Sequence, residues 1–121
     1  MAACYYWETL HDNTGGFAAN DVYTVGIHGE LATANGYTQG GQAVVLSNTD
    51  GVLDGDDVAW TASGGSIGPA SYSALWVNTS NTIIGAKLVY VKDSAAEPQT
   101  ASDGNDMTAG IVNPITIPIP S

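Results

Sequence analysis

Apolar and polar residues alternate with a period of two along much of the chain, the spacing of strands with one buried face. Two stretches carry this most clearly, SYSALWVN (71–78) and TIIGAKLVYVK (82–92), separated by the turn-like NTSN. In the second, Ile84, Ala86, Leu88 and Tyr90 share one face, and Val89 and Val91 make the other partly apolar. That pattern predicts a strand covered on both sides, as in the middle of a sandwich. DVYTVGIHGE (21–30) places Tyr23, Val25 and Ile27 on one parity and Val22, Thr24 and His28 on the other, which predicts a half-buried strand.

Weaker signals fill the gaps. CYYWETL (4–10) suits a short strand or a helical turn, ended by HDNTGG, and AVVLS (43–47) suits a short strand. Asp50-Gly51 and Asp54-Gly55 are turn signals, because Asp and Gly tolerate positive φ. Beyond them Val58 and Trp60 share a strand face. LATANGYTQGGQ (31–42) predicts a long loop or ribbon, and ASGGSIGPA (62–70) and DSAAEPQTASDGNDMTAG (93–110) predict further loops. The total is roughly six to eight strands with no long helix. No internal repeat is present.

The C-terminus NPITIPIPS has Ile115, Ile117 and Ile119 on one parity and Pro114, Pro118 and Pro120 on the other. Prolines of one parity delete backbone donors along one edge of an extended strand. The segment can therefore pair on one side only, as an edge strand of its own domain or as an arm on another subunit.

At 121 residues the chain has the length of one domain, large enough to bury a core without disulfides. Only 12% of residues are charged, and Gly, Ser, Thr and Asn take their place, which favours turns and short strands over helices. The expected fold is a single all-β domain, an antiparallel β-sandwich or jelly-roll-like barrel with long loops. Residues 1–20 form an N-terminal segment or arm, 21–121 the β-domain, and 111–121 its terminal strand or arm. The net charge is −10, with Lys87 and Lys92 as the only cations. No phosphate-neutralising patch can be built from two lysines, which argues against nucleic acid and anionic membrane. Cys4 is the single cysteine, so no internal disulfide forms. MAACYYWETL lacks the basic region and apolar core of a secretory signal. The expected place of synthesis is a reducing cytosol.

Candidate chemistry is sparse. The acidic stretch NTDGVLDGDDVAW (48–60) holds Asp50, Asp54, Asp56 and Asp57, but Val52 takes a ligand position of the calcium-loop pattern and its final glutamate is absent. An acidic turn is the better account, with a looser cation site as the rival. His11, His28 and Cys4 match no metal-ligand spacing. His28 is expected exposed or locally hydrogen-bonded. No GxSxG elbow singles out a serine, and GGSIG (64–68) lacks the lysine of a phosphate-binding loop. Trp7, Trp60 and Trp76 are candidates for a sugar platform, although tryptophans inside strand patterns are more often core. No catalytic residue, cofactor or metal is expected, and the chain is not expected to be an enzyme.

Five segments, in order, carry a resemblance. DVYTVGI (21–27) is similar to a DTIKVAL-like strand, GYTQGG (36–41) to a GYTAGG-like loop, and LDGDDVAW (53–60) to a DADDVTW-like segment. ASYSALWVN and AKLVYVKD then match an A-x-Y-A-V-L-Y strand leading through a turn to a strand that ends in aspartate. Over roughly 21–119 the chain resembles a family of small structural proteins of tailed bacteriophages. The first twenty residues do not match the helical start of some relatives. The resemblance implies a capsid decoration (cement) protein, made in the host cytoplasm and placed on the capsid exterior. Its implied partners are the major capsid protein and neighbouring copies of itself. Contact is expected through Gly36, Tyr37, Thr38 and Gln39 and through Ile115, Ile117, Pro118 and Ile119. A tail, neck or fibre-associated protein and a glycan-binding module using Trp60 or Trp76 are the alternatives.

Overall fold

The computed structural model describes residues 5–44, 46–49, 52–55, 58–93, 98–109 and 115–116. The strands among them are β1 (Tyr5–His11), β2 (Gln42–Val44), β3 (Leu46–Thr49), β4 (Val52–Gly55), β5 (Val58–Thr61), β6 (Ile67–Ala70), β7 (Tyr72–Asn78), β8 (Lys87–Asp93), β9 (Gln99–Ala101), β10 (Asp106–Ala109) and β11 (Ile115–Thr116). A single 3-10 turn, Ile27–Gly29, is the only helical element described. The fold is all-β and antiparallel, with sheets β2-β1-β7-β8, β10-β5, β11-β4-β3 and β6-β9, and the described strands close no barrel.

The four-stranded sheet is covered on both faces. Trp7, Thr9 and His11 of β1 stand opposite Trp76, Ala74 and Tyr72 of β7, which puts these six on one face. There Trp76, Ala74, Tyr23 and Ala86 form a buried cluster, with Phe17, Ile27, Ile83 and Leu88 packed against it. The other face carries Leu10 and Leu75, packed with Tyr37, Trp60, Ala62, Ile67, Ala70 and Ala101. Strands β5, β6 and β9 thus cover one side, while irregular chain from 12–30 and 79–86 covers the other. Full burial of Leu10 and Leu75 contributes about 1.5–3 kcal/mol for each side chain. Between β7 and β8, Leu75 faces Tyr90 and Trp76 faces Leu88, so Val89 is the extra residue of a bulge. The bulge reverses the parity of β8, sending Val89 to one cluster and Leu88 and Val91 to the other. Half-buried side chains of β8 thus meet both clusters, but through a bulge and at the edge of the sheet rather than in its middle as expected.

Several expectations are corrected. Residues 5–11 are no peripheral arm, because β1 lies inside the central sheet between β2 and β7. The strand expected over 21–30 does not form: Val22 makes one bridge to Lys87, and the chain then reverses. Gly26 (φ 79) and His28 (φ 51) take left-handed backbone that no strand tolerates. Tyr23 turns into the core while Val22 and Val25 stay exposed. ASGGSIGPA contains β6, and DSAAEPQTASDGNDMTAG contains β9 and β10. These strands are only three or four residues long, held by ladder bonds to a partner distant in sequence, so their periodicity is too brief to detect. AVVLS is split between β2 and β3, which belong to different sheets. TIIGAKLVYVK becomes a strand only from Lys87, since Ala86 N–H bonds Ile83 O across a turn (2.8 Å).

Strands β3 and β4 pair antiparallel with Thr49 opposite Val52, and the turn expected at Asp50-Gly51 lies outside the described residues. Among the described strands β11 pairs only with β4, Ile115 opposite Leu53, and so stands at an edge of that sheet. Of the two terminal alternatives, residues 115–116 take the edge strand. Ile117, Pro118 and Ile119 lie outside the described residues.

Candidate functional site

The densest group of polar side chains surrounds Glu30, which lies beside the end of β1. Glu30 bridges His11, and Leu31 N–H donates to Leu10 O (3.0 Å), so this segment continues the edge that β2 begins. Four donors converge on its carboxylate. Tyr23 Oη (2.5 Å) and Gly26 N–H (3.2 Å) donate to Oε1; Tyr37 Oη (2.7 Å) and Gly40 N–H (2.8 Å) donate to Oε2. They occupy both lone-pair directions of each oxygen. Tyr37 Oη also accepts from Leu10 N–H at 3.1 Å, which ties the cluster to β1. Tyr23, Tyr37 and Glu30 are all buried. Burial, together with the neighbouring Glu30, raises the pKa of both tyrosines well above the ordinary range.

A second chain of hydrogen bonds runs across the same sheet and specifies a tautomer. Trp76 Nε1–H has only its proton to offer and donates it to Thr9 Oγ1 (2.8 Å). His11 Nδ1 lies 3.0 Å from Ile27 O, an acceptor, so Nδ1 carries the proton. Thr9 then donates its hydroxyl proton to His11 Nε2 at 2.6 Å. Every polar atom of the chain is satisfied with neutral His11. Burial lowers the His11 pKa, with Glu30 acting in the opposite direction.

Tyrosine, carboxylate and imidazole together are the raw material of acid–base chemistry, but a catalytic group must reach the proton it moves. Here the buried Thr9, His11, Tyr23, Glu30 and Tyr37 all direct their polar atoms at one another or at backbone. The cluster joins β1, the 23–30 cover and the 37–40 loop into one unit. Sequence reading missed it, although Glu30 is the sole acidic residue between Asp21 and Asp50.

Nearer the surface, His28 Nε2 meets Asp21 Oδ2 at 2.8 Å, which fulfils the local hydrogen bond expected of His28. The Ala18 N–H and His28 hold the Asp21 carboxyl below the usual range. Phe17 sits between His28 and His11, with ring centroids 4.6 and 5.0 Å away. Among the described residues, no group of three His, Cys, Asp or Glu is placed to hold a metal ion. Cys4, Asp50, Asp56 and Asp57 lie outside the described residues, as does the side chain of Asp54.

Of the expected contact residues, Gly36 and Thr38 are exposed and Gln39 is half-buried. Tyr37 is corrected: its ring is core, against Trp60 and under Leu10, and is closed to a partner. Trp60 and Trp76 are 3% and 0% exposed, so neither can serve as a sugar platform. Trp7 is half-buried. A shallow notch of about 170 Å³ between the 31–37 loop and β6 is lined by Leu31, Ala34, Asn35 and Ser66. Asn35 Nδ2 is already engaged there by Ser66 O (3.0 Å). Comparison with family models, curated proteins and solved structures finds no match for this chain.

Proposed function

We propose that this chain is a non-enzymatic virion structural protein, a capsid decoration protein that binds the outer surface of a phage head and stabilises it. The observation that carries the reading is the inward closure of its titratable cluster. Glu30, Tyr23, Tyr37 and His11 serve cohesion of the β-body, leaving loops and strand edges as the surface through which the molecule acts. The resemblance to small phage structural proteins supports it. The matched ASYSALWVN and AKLVYVKD segments contain β7 and β8, which pair antiparallel with Tyr72 opposite Asp93. A net charge of −10 suits the shell exterior, because packaged DNA would repel it inside. Copies would follow the symmetry of the shell. The major capsid protein is the partner, and no nucleic acid or membrane is involved.

The test is co-sedimentation of the purified protein with phage heads assembled without it. Saturable binding at a copy number that fits the shell's symmetry is the expected result. A folded protein that stays in the supernatant would overturn the head assignment and favour a tail or neck position.

A further inference from the structure

We infer that Asn35 is a site of spontaneous covalent modification, in which its side-chain amide is displaced by the Gly36 backbone nitrogen and then replaced by water. Ala34 and Tyr37 form an isolated bridge closed by two hydrogen bonds, Ala34 N–H to Tyr37 O and Tyr37 N–H to Ala34 O, both 3.0 Å. The two residues between them have positive φ, 56° at Asn35 and 102° at Gly36, as in a two-residue Asn-Gly turn. Both are exposed. The closing bonds use the amides of Ala34 and Tyr37, and no acceptor among the described residues meets the Gly36 N–H. The Asn35 amide is restrained by one surface bond, from Nδ2 to Ser66 O at 3.0 Å.

The reaction needs a backbone nitrogen that can approach the side-chain carbonyl carbon of the preceding asparagine. Glycine permits this because it has no Cβ to crowd the attack. Asn35 is the one asparagine of this chain followed by glycine; the others precede Thr, Asp or Pro. The Gly36 nitrogen bonds to Asn35 Cγ, the Cγ–Nδ2 bond breaks, and the Gly36 proton leaves with the amide as ammonia. Water then opens the five-membered imide. Opening at Cγ gives aspartate, and opening at the main-chain carbonyl gives the isomer whose chain runs through Cγ. Ring closure requires the amide to leave Ser66 O, so the fold slows the step, but a single exposed hydrogen bond is a weak restraint.

The consequences reach inward. Aspartate at this position sets a carboxylate oxygen against Ser66 O, where an N–H now donates. The isomer lengthens the main chain of a turn whose span is fixed by the Ala34–Tyr37 bonds. Tyr37 ends that turn, and its hydroxyl joins Glu30 to Leu10 N–H. One new carboxylate also takes the net charge from −10 to −11. The inference stands independently of the virion assignment.

Ageing the folded full chain at mildly alkaline pH, with ion-exchange chromatography and peptide mass mapping, tests it beside the variant Asn35→Gly and a free peptide of residues 31–39. Wild type is expected to accumulate a more acidic form whose mass change, NH2 replaced by OH, maps to Asn35 before any other asparagine. Its rate should rise with pH, because Gly36 must give up a proton, and should stay below that of the free peptide. Part of the product should be the isomer, read by enzymatic methylation of isoaspartate. Asn35→Gly, which keeps positive φ accessible, should form no such species. Aged wild type should unfold at lower urea than fresh wild type, whereas aged and fresh Asn35→Gly should coincide. Modification that begins at another asparagine, or that reaches Asn35 only once urea has unfolded the chain, would overturn the inference. So would an acidic form that accumulates equally in Asn35→Gly.

Discussion

The Tyr37 hydroxyl donates to the Glu30 carboxylate at 2.7 Å while accepting from Leu10 N–H at 3.1 Å, and all three residues are buried. One phenol thus links a carboxylate that can only accept to a strand amide that can only donate. No aliphatic or carboxylate side chain could fill that position. The pair ties the glycine-rich 36–41 loop to β1.

Glu30→Gln should therefore destabilise the fold although it removes only charge. A glutamine amide offers one acceptor oxygen and one donor nitrogen, so a glycine N–H and a tyrosine hydroxyl would face another donor. Tyr37→Phe orphans Leu10 N–H and one Glu30 lone pair. Each group left unsatisfied costs about 1–3 kcal/mol. Urea unfolding is the measurement, and a midpoint within error of wild type for both variants would refute the hub.

Stability should fall on both sides of neutrality. The folded-state pKa of His11 is lowered from 6.5, so the unfolded chain binds the proton more readily. Its contribution is complete above pH 6.5 and is lost as pH falls through that value toward the folded-state pKa. Tyr23 and Tyr37 are raised above 10.0, so the unfolded chain releases protons first and stability declines as pH rises past about 10. The unfolding free energy between pH 5 and 11 checks both limbs, and His11→Gln should flatten the acid limb alone.

Two glycines of the 36–41 loop have no room for a side chain. A Cβ on Gly41 would lie 1.7 Å from Glu8 O, and one on Gly36 would lie 2.1 Å from Thr61 O. Gly85 shares their positive φ but meets nothing within 4 Å. Gly85→Ala should cost only the conformational penalty, about 1 kcal/mol. Gly36→Ala and Gly41→Ala should cost clearly more, read as larger falls in Tm. Equal losses at all three positions would show that the close approaches carry no weight.

Tryptophan accessibility should divide the three indoles. Trp60 and Trp76 are buried and Trp7 is half-buried, so a soluble quencher such as acrylamide should reach Trp7 first. Trp7→Phe should remove most of the quenchable emission. Soluble saccharides should leave the spectrum unchanged, whereas a saccharide-dependent shift would revive the glycan reading.

Much of the architecture was legible wherever alternation persisted. The stretch Tyr72–Asn78 and its partner Lys87–Asp93 are long enough for a period of two to stand out, the first inside the four-stranded sheet and the second at its edge. Where structure depended on distant partners, the pattern misled. Tyr23, Val25 and Ile27 alternate as a strand does, yet Gly26 and His28 reverse the chain so that Tyr23 can reach Glu30. Ile67–Ala70 and Gln99–Ala101 are each too short to show a period and form a ladder only together.

The sequence by itself determined the all-β class. It follows from a composition in which Gly, Ser, Thr and Asn take the place of charged residues. Only the tertiary structure decided that Glu30, Tyr37 and His11 belong to the core. That depends on hydrogen bonds and contacts between residues far apart in the chain, such as Thr9 with Trp76, for which local patterning carries no signal.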